Sequence, residues 1–331
     1  MSVISRPSGR AAFRVAILCP RPRDAHAIKL LFDFIYDETS SDKYGVVQGD
    51  PNKYTLGRIG RYDVVLVHMP QPGKVAASSV TGHIKLSYPG IEIAFLIGTC
   101  GEVPNGGEPG ALEGRKDVFL GDVVISEGIV QCDLGKRHPG RFTRKNTVKS
   151  NLGRPNQSIR SFLAQLRMWH DRLTDNHKSY LVKIQNGLKI TSPGVEKDIL
   201  FRPSYRHGEN CQCDLNACEN ESVVDRRRLV CQSPFIHFGL LASGDTIMSS
   251  AKYRDRISKR EDVVAFKMEG AGKSTLMKYL LLNKKKTEPD AIQEHQYDIR
   301  KYVETNVQGG SSKAIQDLRE EICERANGVF L

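Results

Sequence analysis

The sequence predicts a layered α/β domain, and three observations carry that prediction. Compact apolar runs such as FRVAILCP (Phe13 to Pro20) and IEIAFLIG (Ile91 to Gly98) have the length and composition of buried strands. Stretches with apolar residues at helical spacing lie between such runs. The order strand, helix, hairpin, helix, strand is the rhythm of helices packed on a sheet.

Taken in order, FRVAILCP is the first strand. It runs into a helix from Asp24 in which Ala27, Leu30, Leu31 and Phe34 recur on one face. YTLGRIG and YDVVLVHM (Tyr54 to Met69) read as two strands around a tight turn. Gly73 to Leu86 is rich in small residues and reads as a helix, and Ile91 to Gly98 as a buried strand. DVFLGDVVIS and GIVQCDLG supply two further strands. From about 136 to 234 the chain turns polar, with helices expected at Ile159 to Leu173 and His177 to Asn186, and reads as a partly disordered surface insertion. The sheet resumes with IHFGLLAS (Ile236 to Ser243), a charged helix (Tyr253 to Arg260) and the strand VVAFKM. An apolar helix, STLMKYLLL, and two more helical stretches follow Gly272.

The 331 residues carry a formal charge of +11, with 39% hydrophobic residues, which suits a chain with a real core. No segment approaches the roughly 20 apolar residues of a bilayer span, and the N-terminus lacks a convincing signal peptide, so a cytoplasmic protein without a membrane partner is expected. Leu134 to His170 holds nine Lys and Arg and no Asp or Glu. That run reads as a solvated basic face, since no nucleic-acid motif accompanies it. Of eight Cys, Cys19, Cys100 and Cys132 sit in apolar runs and read as buried thiols. Cys211, Cys213, Cys218 and Cys231 lack the paired C-x2-C spacing of common zinc sites, which favours a Cys-bearing loop over a metal knuckle.

One stretch is ambiguous. VAFKMEGAGKSTLMKYLLL (Val264 to Leu282) contains GAGKST, and a phosphate loop places its first Gly five residues before GK. Lys267 stands there instead.

Several stretches together resolve the ambiguity. VAILCPRPRDAHAIKLLFD, YTLGRIGRYDVVLVHMPQPGKVAASSV, GTCGEVP, LGDVVISEGIVQCDLGK, HFGLLASGDTIM and AFKMEGAG resemble, in order, the nucleoside phosphorylase and nucleosidase superfamily, in particular its fungal members fused to NOD-like receptors. GAGKSTLMKYL, YDIRKYVETNV and LREEICERANGVFL resemble fragments of the NACHT-type ATPase that follows that domain in those receptors. The resemblance implies a three-layer α/β/α phosphorylase-like domain with a mixed central sheet over 1–272, carrying the insertion, and a helical tail over 273–331.

The resemblance also implies a site. Met268 and Glu269 match the family's ribose-binding Met-Glu pair, where a carboxylate accepts hydrogen bonds from sugar hydroxyls. Ile247 and Met248, in SGDTIM, match the base-binding turn, with Asp245 anchoring that turn. Gly73 with Lys74, and Gly98 with Gly101, match backbone turns on the phosphate or attacking-water side. Asp24 stands where related proteins have a water-activating Glu. Glu102, in GTCGE where the family has GICGG, argues against phosphate. Lys273 and Ser274 would be the phosphate-loop remnant; no acidic strand follows to hold Mg²⁺, and ATP hydrolysis is not expected.

The expected ligand is a purine nucleoside or nucleotide, with water or phosphate as acceptor, no cofactor and no metal. The family's late catalytic Asp, in a CDYAD-like run, has no counterpart in the sequence, so cleavage is expected to be weakened, and a nucleoside-sensing pseudoenzyme is the alternative. The missing strand would leave VVAFKM with an unpaired edge, and self-association into a homo-oligomer is expected from that edge.

Overall fold

The computed structural model describes residues 6–36, 44–104, 117–139, 141–147, 155–191, 198–205, 223–224 and 234–270. The Cys cluster near 211–231, Lys273, Ser274 and the expected tail helices lie outside the described residues.

The first sheet is built from the N-terminal part of the chain. β1 (Val15–Cys19) is buried over four of its five residues, as suits a strand covered on both faces. α1 (Pro22–Lys29) begins with Pro in its first turn, where a missing N–H costs nothing, and carries Asp24 in that turn, where a carboxylate suits the helix dipole. The helix is shorter than its sequence suggests. Phe34 and Ile35 leave the helical pattern to form β2 (Phe34–Ile35), pairing with Arg58 and Gly57 of β3 (Lys53–Ile59). Ala25 and Ile28, rather than Ala27, are the buried helix residues.

β3 and β4 (Tyr62–His68) form the expected hairpin, closed between Ile59 and Tyr62 with Gly60 at φ 59°. α2 (Lys74–Ser87) buries Ala76, Ala77, Val80 and Ile84. β5 (Ile93–Leu96) then pairs parallel with β1, giving the mixed order β2-β3-β4-β1-β5. Phe13, fully buried, meets Tyr36, Tyr44 and Tyr88 edge to face beside this sheet.

The second sheet contains β6 (Gly101–Glu102) and β7 (Val123–Gln131). β7 is one nine-residue strand where the sequence suggests two. The Ser126-Glu127-Gly128 break is a bulge: Gly239 pairs with Ser126 and Leu240 with Gly128, leaving Glu127 as the extra residue. A hairpin that sequence does not announce follows, β8 (Gly135–His138) with β9 (Arg141–Arg144). α3 (Gln157–Met168) is capped by Asn156, whose side chain accepts from Ile159 N–H at 2.8 Å. It meets α4 (His170–Leu188) at Trp169, so the helix break falls earlier than expected.

β10 (Ile236–Ser243) pairs parallel with β7 and with β11 (Val263–Phe266), across α5 (Ala251–Glu261). The order is β6-β11-β10-β7. β11 therefore has partners on both sides: Ala265 and Phe266 pair with Glu102 and Gly101, and Val103 N–H donates to Val264 C=O. The expected unpaired edge is absent at this strand because the GTCGE segment occupies it. The argument for self-association through that edge falls with it.

The class is thus mixed α/β with mixed sheets, as expected, with its strands in two main hydrogen-bonded groups. Among the described residues no helix is long and apolar enough to cross a membrane.

Candidate functional site

Five segments that follow strands carry the expected site residues, and a sixth, after β7, brings Asp133 among them, in the region where open α/β sheets bind ligands. They form two linked groups.

The first group gathers Asp24, Gly98, Thr99, Lys267 and Glu269. Asp24 comes from the first turn of α1, Gly98 and Thr99 follow β5, and Lys267 and Glu269 follow β11. Lys267 Nζ donates to Thr99 C=O at 3.1 Å and lies 3.4 Å from Glu269 Oε2, with both side chains nearly sealed from solvent. A Cβ placed on Gly98 would stand 2.7 Å from Asp24 Oδ2 and 3.0 Å from Lys267 Nζ. Only glycine fits there without displacing one of them. Arg21 Nη1 closes the rim by donating to Thr99 Oγ1 at 3.2 Å.

Asp24 Oδ2 is buried and has no hydrogen-bond partner among the described residues. Burial raises the Asp24 carboxyl above the ordinary range, against the pull of Lys267 and Arg21, and Glu269 adds to the rise. The neighbouring thiol of Cys19 is pushed up to about 12 by burial and by Asp24, so it stays protonated and is no nucleophile.

The second group is a clasp. Lys74 Nζ pairs with Asp133 and with Asp245 Oδ2, at 3.3 Å from the latter. Lys74 N–H donates to Asp245 Oδ1, and Asp245 N–H donates to Asp133 Oδ2, both at 3.0 Å. Burial opposes ionisation of Asp133, but hydrogen bonds from Lys74, Asp245 N–H and Gln131 outweigh it and lower the carboxyl. The Lys74 ammonium is therefore committed to two carboxylates. Asp245 anchors its turn, as the sequence suggests.

Ser243 joins the groups. Its hydroxyl donates to Met268 C=O at 3.1 Å, its carbonyl accepts from Cys132 N–H, and Lys267 N–H donates to Ala242 C=O. Met248 packs against the core formed by Cys132, Ala242, Ile257 and Val263, whereas Ile247 stands 81% exposed at the rim. Gly101, in β6, has open space where a side chain would be. Among the described residues no cluster of His, Cys, Asp or Glu is arranged to hold a metal ion.

Lys267 and Asp133 are the site residues that sequence reasoning misses. Each is a charged residue within two positions of a strand's end, which is the only local signal either leaves.

No protein-family model matches the chain. A nucleotide-binding leucine-rich repeat (NLR)-like protein of Hyaloscypha variabilis is 26% identical over 282 residues, 82% of this chain. The chain spans about a quarter of that relative's length, 26%. Similar solved structures include the futalosine hydrolase of Helicobacter pylori, at 14% identity and TM-score 0.46, over 81% of this chain and 79% of that one. The Streptococcus pneumoniae MTA/SAH nucleosidase in complex with 8-aminoadenine is 17% identical, with TM-score 0.47, over 81% of this chain and 80% of that one.

Proposed function

We propose that the domain binds a purine nucleoside and cleaves its N-ribosyl bond with water as the acceptor. The observation that carries this reading is the meeting of Asp24 and Glu269 around Gly98 and Lys267, from opposite ends of the described chain. Glu269 accepts hydrogen bonds from ribose hydroxyls beside Met268. Asp24 Oδ2, buried and unpartnered, holds the attacking water and takes its proton as oxygen bonds to the anomeric carbon. The C–N bond electrons leave with the base, which is protonated from solvent. Ile247 at the rim lies against the base, and the Met248 main chain meets its edge.

Water is favoured over phosphate because the cation of the Gly73–Lys74 turn is already matched by Asp133 and Asp245. The same clasp occupies the carboxyls nearest the base turn, so the base leaves without a dedicated acid. Loss of general-acid help costs on the order of 100- to 10,000-fold, and turnover is slow.

A second reading, a nucleoside-sensing domain of a receptor-like protein, is favoured by the NLR-like relative. Calorimetry with adenosine and inosine, beside a free-base release assay, separates the two. Binding with slow release supports the enzyme, binding with none supports the sensor, and no binding at millimolar nucleoside overturns both. Magnesium-dependent ATP hydrolysis that vanishes in Lys273→Ala would instead support an NTP-binding reading.

A further inference from the structure

Lys267 has no part in the chemistry so far, yet its side chain is only 6% exposed. Burying an ammonium is costly unless it is paired. Its polar neighbours come from three separate segments: Thr99 after β5, Glu269 after β11, and Asp24 in α1, across Gly98. A plain structural ion pair with Glu269 would need neither of the others, and such a pair is often no more stable than apolar packing. The arrangement instead pairs one cation with Glu269 and sets it across Gly98 from Asp24, beside two carboxylates that the reaction needs in different roles.

We propose that Lys267 is a positioning residue that holds the Asp24 and Glu269 carboxylates in one pocket and keeps Asp24 free to accept a proton. The proposal rests on the reading of Asp24 as the water-binding group and Glu269 as the ribose-binding group. The Glu269 carboxylate is buried and acts on Asp24 through space, which favours a proton on Asp24 and would silence the base. The groups facing Asp24 are Arg21 just before its helix and Arg23 within it, Cys19 at the end of β1, and Lys267 and Glu269 after β11. Burial is the main force that favours the protonated acid, and Lys267 is the strongest opposing one.

The experiment follows Asp24 itself, by carboxyl ¹³C NMR titration with the signal assigned from its loss in Asp24→Asn. Lys267→Met is expected to move the Asp24 titration up by about one pH unit or more, and the acid limb of base release by the same amount. Lys267→Arg is expected to restore both. A folded Lys267→Met whose Asp24 titrates as in the wild type would overturn the proposal, because a merely structural lysine lowers melting temperature without moving that titration. If Lys267→Met fails to fold, Glu269→Gln carries the test: it leaves Lys267 facing Asp24 alone, the titration should fall, and an unchanged or higher value overturns the proposal. The titration needs no turnover. A wild-type protein that releases no base while the titration shifts as expected sinks the enzymatic reading alone.

Discussion

The Lys74 N–H and the Asp245 carboxylate meet at 3.0 Å, and the Lys74 ammonium returns to the same carboxylate at 3.3 Å. Asp133 completes the clasp from a third segment. Asp245→Ala removes one arm from a half-exposed carboxylate and is expected to cost about 1 kcal/mol, with nucleoside affinity about tenfold weaker. Lys74→Met leaves two carboxylates facing each other and is expected to cost about 2 kcal/mol or more. Denaturant melts with calorimetry check the order. A gentler effect for Lys74→Met would show that the clasp does not hold the turn.

The clasp also sets an acid limit. Asp133 is lowered in the folded protein, so its contribution is present above about pH 3.9, the unfolded value. It is lost as pH falls further, through the folded value. Acid melts of wild type and Asp133→Asn are expected to converge below that point. A constant gap between them down to the lowest pH would contradict this.

Asp24 has the opposite sign. Its folded carboxyl is raised, so the folded state binds the proton more tightly, and stability falls as pH rises from the unfolded value through the folded one. Asp24→Asn is expected to melt higher than wild type at neutral pH while losing base release. Equal melting temperatures at pH 4 and pH 7 in the wild type, with the variant no more stable, would refute the sign.

Gly98 and Gly101 make a matched pair. Gly98→Ala pushes a methyl against Asp24 and Lys267 and is expected to weaken nucleoside binding at least about tenfold. Gly101→Ala meets nothing within 4 Å and is expected to change stability by no more than about 0.5 kcal/mol. Equal binding by both variants would remove Gly98 from the site.

Arg144 ties the β8–β9 hairpin to the end of α5 through Glu261, at 2.6 Å with both side chains at or below 10% exposure. Burial works against the Glu261 carboxylate, but Arg144 and Arg260 outweigh it and hold the group lowered. Arg144→Met is expected to cost about 3 kcal/mol, with little dependence on salt because the pair is shielded. A loss that disappears in 1 M salt would place the pair in solvent.

β1, β4, β10 and β11 are legible because each is an apolar run that buries most of its residues. β7 reads as two strands because Ser126-Glu127-Gly128 has the composition of a turn, and only pairing with β10 turns it into a bulge. The β8–β9 hairpin was illegible because Lys136, Arg137 and Arg141 are exposed and leave no alternating apolar pattern. Asp24 and Glu269 could be named from motif resemblance. Lys267 and Asp133 could not, because their partners Thr99 and Asp245 lie 168 and 112 residues away.

Those long separations give the domain a schedule. Every strand of the β2-β3-β4-β1-β5 sheet lies between Val15 and Leu96, so that sheet can assemble early in synthesis. Asp245 leaves the ribosome 171 residues after Lys74, a lag of roughly ten to thirty seconds at typical elongation rates. Until then Lys74 lacks one arm of its clasp, and until residue 267 emerges Asp24 lacks its lysine. If the domain binds a nucleoside as proposed, that ligand can stabilise only chains in which β11 has docked, so by mass action it favours the last step of assembly.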